Sequence, residues 1–411
     1  MVTLLSAALS TLIDVHWDCR ALTPPQRQWC ETFARAATTL TTPAAPPSVR
    51  IDAMRAQAAA ARAAELPLVA TYLERVSDAA AGGDAVAAET ALRAAAHSPV
   101  LVLVRVQKAS ADASPFGDVI VGVRDPDDAW LLSFQQRLDA FARTLSPASA
   151  AWDKGTVPPG VSAIGDLVAR AGASAQSTAP ASYPPFDASL RPVVGRSWIH
   201  WKNMTVAGWF ERQVKPAGVA SLDGAAVRAL DGAALSRWYA LRYVTSDLGP
   251  KVVNGKPLQD ALGDAWAPIV IVKADVTAVL ASQWLRRGSL DTDLATFLGV
   301  TIHTLNDVVR GDAPPQHRAS TCIALNWCLR HGGLVARKNG WHIAPRAMLA
   351  SLRTLASEVL AIETAGDRER AAKLIAEYGT VTPEIQTMLD RLPPPTPPKA
   401  TVHYDILESA R

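Results

Sequence analysis

From Ser221 onward the chain reads as an almost unbroken succession of helices, and no other feature limits the fold as much. Helices are predicted over Ala233–Thr245 and over Ile269–Arg287, the latter stopped by Gly288, where a residue without Cβ is favoured. Ser289 or Asp291 suits the N-cap of the next, which runs to Gly311. A further apolar helix over Ala319–His331 closes at Gly332-Gly333. Asn339-Gly340 accepts φ > 0 at both central positions of a turn, so a tight hairpin is predicted at Arg337–Trp341. Three helices finish the chain, the last opened by Thr382-Pro383-Glu384 with proline in its first turn.

The first half has a different texture. Ala-rich stretches at Ile51–Ala81 and Gly83–Ala96 carry helical periodicity, whereas Leu101–Val106 and Val119–Val123 are β-branched runs that predict strands. Trp198, His200 and Lys202 alternate with Ile199 and Trp201, the period-two signature of a strand with Trp198 and His200 on one face. One β-containing portion and one helical portion make the fold class α+β. Thr42–Ser48, Ala171–Pro192, Gly311–Pro315 and the Pro393–Pro398 run punctuate the chain, the first and last as linkers or surface wraps. No fixed-period repeat is present. Residues 1–19 are apolar but lack a positive leader and are interrupted by Asp14, so they read as the start of a helix.

Composition removes several functions. With 49% hydrophobic and 19% charged residues, 411 residues suffice for two sizeable lobes, and a net charge of +3 without a basic block argues against nucleic acid. No run is read as reaching the roughly 18 apolar residues of a membrane span, so a cytoplasmic protein with no membrane partner is expected. Cys19, Cys30, Cys322 and Cys328 form no CxxC pair, and Cys322 and Cys328 read as small buried hydrophobes. No histidine lies between His200 and His303 and no glutamate between Glu211 and Glu358. No two histidines are three or four apart, so no helix offers a histidine pair to a metal.

Five segments, in order, are similar to segments of the dipeptidyl peptidase III family, in particular its bacterial and plant Nudix-associated branch. GRSWIHWKNMTVAGWFERQVKP (Gly195–Pro216) resembles the family's GSKxVxLKN stretch, and DGAALSRWYALRYVTSDLGP (Asp231–Pro250) resembles the helix that ends HExxHGLGP. LGDAWAPIVIVKADVTAV (Leu262–Val279) resembles the EExKAD helix, and QHRASTCIALNWCLRHGGL (Gln316–Leu334) the HGRAxxxQLNYLLxxGA helix. GDRERAAKLIAEYGTVTPEIQTMLDRL (Gly366–Leu392) resembles the family's closing pattern. The resemblance covers about residues 110 to 395. It implies a mixed α/β, small barrel-like lobe from 1–125 and 165–203 and a helical lobe from 126–164 and 204–392. A cleft between the lobes and a Pro-rich tail over 393–411 complete that expectation.

The resemblance also implies that the zinc chemistry has gone. Anchored on Leu248-Gly249-Pro250, the family's two motif histidines fall on Arg242 and Ser246 and its catalytic glutamate on Tyr243. Anchored on Lys273-Ala274-Asp275, its paired glutamates fall on Val270 and Ile271, and a further motif histidine becomes Gln316. The LPND-type segment that holds peptide is replaced by Tyr183-Pro184-Pro185-Phe186-Asp187.

Arg242, Tyr243, Asp247, Asp275 and His317 are therefore the candidate catalytic residues, with no metal and no cofactor. Trp198, His200, Trp201, Asn203, Ser246, Lys273, Gln316 and Arg318 are the candidate substrate-binding residues. Alternatively, Arg242 pairs with Asp247 or Asp275 as structural filling, and the tryptophans of 198–201 are core packing. Three functions remain open at this point. One is a metal-independent enzyme acting on a small molecule in the cleft, with specialised biosynthesis as one setting. Another is a non-catalytic protein that binds a peptide or small ligand. The third is a residual metallohydrolase with ligands such as Asp247, Asp275 and His317. Substrate, pathway and oligomeric state are not legible.

Overall fold

The structure is a computed structural model. It describes residues 11–43, 45–108, 113–156, 158, 160–311, 314, 316–393, 400–404 and 406. The chain divides into two compact units, one from the described residues within 1–128, 157–208 and 397–411, the other from those within 129–156 and 209–396.

In the first unit, helices α1 (Pro24–Thr41), α2 (Pro47–Ala63), α3 (Pro67–Ala80) and α4 (Ala85–Ala95) pack with a five-stranded sheet. The predicted Ile51–Ala81 stretch is two helices, because Glu65 turns left-handed (φ +60°) just before Pro67 restarts the chain. The sheet runs in the order β2 (Val100–Val106), β3 (Phe116–Arg124), β4 (Ser162–Gly172), β6 (Trp198–Trp201), β5 (Ala181–Ser182). Only β4 and β6 pair in parallel. The β3–β4 ladder shifts register at Val121/Gly122, where a Cβ on Gly122 would meet the Trp201 ring at 2.3 Å. The missing side chain thus makes room for the indole.

The chain start departs from expectation. Residues 1–10 lie outside the described residues, and Thr11–Val15 is a strand, β1, paired in parallel with Ala400–Tyr404. Alternate residues explain it: Ile13 and Val15 on one side and Val402 and Tyr404 on the other are buried in the same core. The residues after Pro393 therefore include a paired strand, while 394–398 of the proline run lie outside the described residues.

The second unit is helical. It contains α5 (Ala129–Gln136), α6 (Leu138–Leu145), α7 (Gly232–Thr245), α8 (Trp266–Trp284), α9 (Leu290–Arg310), α10 (Gln316–Arg330), α11 (Pro345–Ala365), α12 (Arg368–Tyr378) and α13 (Pro383–Leu389). Helix α8 is central and packs against α7, α10 and α11. Its surroundings explain its composition: Ile269, Val272, Val276, Thr277, Ala278 and Ala281 are fully buried. Together with the short helix before it, Leu258–Trp284 is long and apolar enough to cross a membrane. This corrects the expectation that no such run exists; here the run is mostly buried as a core helix.

Two other local readings change. Helix α8 stops three residues earlier than predicted, at Trp284, and Arg286 just past its cap adopts φ +54°. Arg286 N–H donates to Gln283 O (3.1 Å) and Arg287 N–H to Ser282 O (3.2 Å), a Schellman end. Gly288 serves space instead, since a Cβ there would lie 2.4 Å from Arg237 Nη2 and 2.5 Å from Asp293 Oδ1. The hairpin of β9 (Leu334–Arg337) and β10 (Gly340–Ile343) turns on Lys338-Asn339, one residue before the predicted pair. The Asn-Gly turn with both residues at positive φ is Asn254-Gly255 (+52° and +75°), between β7 (Val252–Val253) and β8 (Lys256–Pro257).

Candidate functional site

Helix α7 is opened by Asp231, whose carboxylate accepts from Ala233 N–H (3.2 Å) and Ala234 N–H (3.1 Å). From that start, residues four apart share a face, so Trp238 and Arg242 stand one above the other. The Arg242 guanidinium lies 5.8 Å from the Trp238 ring centroid, and its Nε donates to Asp275 Oδ1 on α8. Trp238 ties the same two helices by donating its Nε1–H to the Asp275 carbonyl (3.1 Å). The Arg242 and Asp275 side chains are 27% and 15% exposed, so the pair is sheltered but reachable.

His317, in the first turn of α10, completes this group. Burial pushes its imidazole below the ordinary histidine range, Asp275 opposes that shift and Arg242 adds to it. Residues from three helices, Arg242, Asp275 and His317, thus act on one another electrostatically. Tyr243 is half-buried beside Arg242 on α7, and Ser246 Oγ donates to the Tyr243 carbonyl (2.6 Å) at the helix end. Gln316 is half-buried next to His317, while Arg318 is exposed. The arrangement brings an imidazole that is uncharged at neutral pH beside an ion pair, which is equipment for proton transfer.

Other expected members stand apart from the patch. Asp247 is exposed and pairs with Lys251 (3.2 Å), four residues on and past the end of the helix, in place of entering the Arg242 group. Lys273 precedes Asp275 by two residues, which turns it to nearly the opposite face of α8. There it is fully buried, donating to the Leu248 carbonyl and to Glu363 Oε2 of α11 (3.0 Å). Burial lowers the Lys273 ammonium and raises the Glu363 carboxyl from their ordinary values, each opposed by the other's charge. The Leu248-Gly249-Pro250 segment passes directly over this pair: Gly249 has φ +94°, and a Cβ on it would lie 2.3 Å from Glu363 Oε2.

The first-unit candidates are deeply placed. Trp198 and His200 stack at 5.2 Å, fully buried, and burial pushes His200 down to about 3. Trp201 is also fully buried and donates to Ser182 Oγ (3.0 Å). The amide of Asn203 is engaged by main chain: Oδ1 accepts from Leu167 N–H and Met204 N–H (both 2.9 Å), and Nδ2 donates to His16 O and Leu167 O (both 2.8 Å). These contacts correspond to the packing alternative for the tryptophans and tie Asn203 to the chain's own backbone.

Sequence reasoning missed Trp238, although its position four before Arg242 on an apolar helix was a usable signal. It also missed Glu363, ninety residues from its partner and without any local signal. A second titratable pair went unseen on α9: His303 Nε2 lies 3.4 Å from Asp307 Oδ2, with Trp209 edge-on to the imidazole. Burial pushes His303 down to about 4 and Asp307 up to about 6. Among the described residues, no three His, Cys, Asp or Glu side chains converge to hold a metal ion.

No family model matches this chain, and no curated protein does. Solved structures do. Dipeptidyl peptidase III from Caldithrix abyssi superposes with a TM-score of 0.74 at 20% identity, covering 88% of this chain and 71% of that one. Dipeptidyl-peptidase III from Corallococcus sp. strain EGB gives 0.66 at 21% identity, covering 88% and 68%. At such identities the likeness speaks for the fold alone. The chain has a dipeptidyl peptidase III-like fold of the α+β class.

Proposed function

We propose that this protein is a zinc-independent enzyme that acts on a small molecule at the patch formed by Arg242, Tyr243, Asp275 and His317. The observation that carries the reading is the sheltered His317, kept below the ordinary histidine range beside the Arg242–Asp275 pair. At neutral pH it is an unprotonated base, and the adjacent carboxylate stabilises the imidazolium that forms when it takes a proton. Tyr243, the next residue on α7, is the proposed source of a hydroxyl, and Arg242 attracts a substrate anion or an oxygen that gains charge. The patch suits proton abstraction from a small polar substrate, chemistry that specialised biosynthesis uses.

Zinc does not fit the residues at the resembling positions. Arg242 is a cation already bonded to Asp275, Val270 and Ile271 carry no donor atoms, and Ser246 Oγ is engaged with main chain. No step is therefore routed through a metal. Stoichiometric zinc in the purified protein would overturn this reading.

The direct test is a small-molecule screen for turnover and thermal stabilisation, repeated on His317→Asn and Tyr243→Phe. Loss of turnover in both, with ligand stabilisation retained, is the expected result; full turnover in both sinks the proposal. The engagement of Arg242 with Asp275 favours a second reading, a non-catalytic ligand-binding protein. That reading predicts stabilising ligands that are recovered chemically unchanged.

A further inference from the structure

A cavity of about 430 Å³ lies wholly within the first unit, whereas Arg242, Asp275 and His317 belong to the second. Its walls come from α3 and α4 through Val76 and Ala88, from β2 through Val104 and Val106, and from the turn bearing Phe186 and Leu190. This volume is in the range of small-molecule sites, and the lining is mainly apolar. Among the charged side chains that line it, Arg105, Lys108 and Asp187 are exposed and Glu89 alone is half-buried. Glu89, on α4, lines the cavity half-buried and has no hydrogen bond or ion pair among the described residues.

The charges around it do not neutralise it. Asp187 lies on the same cavity and repels it. Arg105 and Lys108 also line the cavity, but both are exposed: Arg105 is drawn to Asp118 (Nη1 to Oδ2 3.6 Å), and Lys108, two residues past the end of β2, makes no ion pair with Glu89. Tyr72 accepts a hydrogen bond from Val104 N–H (3.0 Å) through its hydroxyl, and burial raises its phenol, so it stays uncharged. A half-buried carboxylate without an ion-pair partner, at the side of a mainly apolar chamber, is costly unless something brings a charge into contact with it. Strand β2 is the edge of its sheet, so its outer carbonyls are further acceptors for an N–H donor.

We propose that this cavity binds a small organic ammonium ion, with its charged head on Glu89 and its apolar body against Val76, Ala88, Val104 and Phe186. An inorganic cation would leave the apolar walls unused, and an anion would meet Glu89 and Asp187. Burial first, and then Asp187, push Glu89 up to about 7. The sign follows: below that pH the carboxyl holds a proton that the ammonium must displace, and above it the site is already anionic. Binding therefore strengthens as pH rises through about 7 and releases protons on the acid side.

The test is calorimetric titration of the full chain with n-hexylammonium, using n-hexanol as the neutral control, at pH 6 and pH 8. At pH 8 the ammonium binds at least about tenfold more tightly than the alcohol, and about tenfold more tightly than at pH 6. Glu89→Gln lowers ammonium affinity by at least about tenfold, removes the pH dependence and keeps hexanol binding. Ala85 is exposed at the cavity rim, so Ala85→Phe narrows the mouth without touching the core and weakens both probes. Equal affinity for ammonium and alcohol overturns the proposal. So does an unchanged Glu89→Gln protein, or the absence of hexylammonium binding at millimolar concentration.

Discussion

Lys273 and Glu363 form an ion pair (Nζ to Oε2 3.0 Å) at the centre of the helical unit, with side chains 2% and 0% exposed. Such a pair is sensitive to the loss of either partner, because desolvating one unpaired charge outweighs the attraction that held two together. Glu363→Leu is expected to destabilise the unit by about 3–5 kcal/mol, and adding Lys273→Met to recover most of that loss. Urea unfolding of the two single variants and the double variant measures the coupling. Strictly additive losses would show that the pair is not what holds α8 to α11. Gly249→Ala should also destabilise, by more than about 1 kcal/mol, since it adds both left-handed strain and a clash with Glu363.

The neighbours of His317 pull its titration in opposite directions. Asp275→Asn removes the charge that favours the imidazolium and is expected to lower the His317 pKa further. Arg242→Met removes a repelling cation and is expected to raise it. Proton NMR titration of the histidine resonances reads both shifts. Movement in the same direction would separate His317 from the Arg242–Asp275 pair.

His303 and Asp307 oppose one another in acid. His303 titrates at about 4 when folded and near 6.5 when unfolded, so the unfolded state takes up the proton first. Its contribution to stability therefore falls as pH drops from about 6.5 to about 4. Asp307 titrates at about 6 when folded and near 3.9 when unfolded, so here the folded state protonates first and stability rises as pH falls through that window. His303→Gln should make the protein relatively more resistant to acid between pH 6 and 4, and Asp307→Asn less resistant. Chemical unfolding across that range checks the two slopes; identical slopes would contradict the opposition.

Arg286 ends α8 in a left-handed conformation that glycine adopts without a Cβ penalty. Arg286→Gly is expected to stabilise by about 0.5–1 kcal/mol. Gly288→Ala should instead destabilise, because its Cβ would press on the Arg237–Asp293 ion pair (2.7 Å). Thermal melts of the two variants should move in opposite directions.

These contrasts mark where local reading ends. Helix starts were legible because their determinants are adjacent in sequence: Asp231, Ser289 and Thr382 cap the helices that follow them. The end of α8 was misplaced because two nearby residues compete for the same role, and only the backbone shows that Arg286 carries the positive φ. The strand at Thr11–Val15 was read as helix because its pairing partner, Ala400–Tyr404, lies nearly the whole chain away. Apolar residues at a chain start suit either conformation until a partner strand is present.

By itself, the sequence determined the α+β division and most helix limits, since periodicity and spacing are local properties; that Arg242, Asp275 and His317 would stand near one another was expected only from the family resemblance. It also removed a histidine pair from the helices, because that is a matter of residue identity. Only the tertiary structure decided which charged residues share a site. Asp247 turned to Lys251, Lys273 turned to Glu363, and Asn203 was taken up by main chain. The physical reason is that a charge or amide inside a core must satisfy its bonding with whatever lies nearest in space. That neighbour is set by helix rotation and packing, which no spacing along the chain specifies.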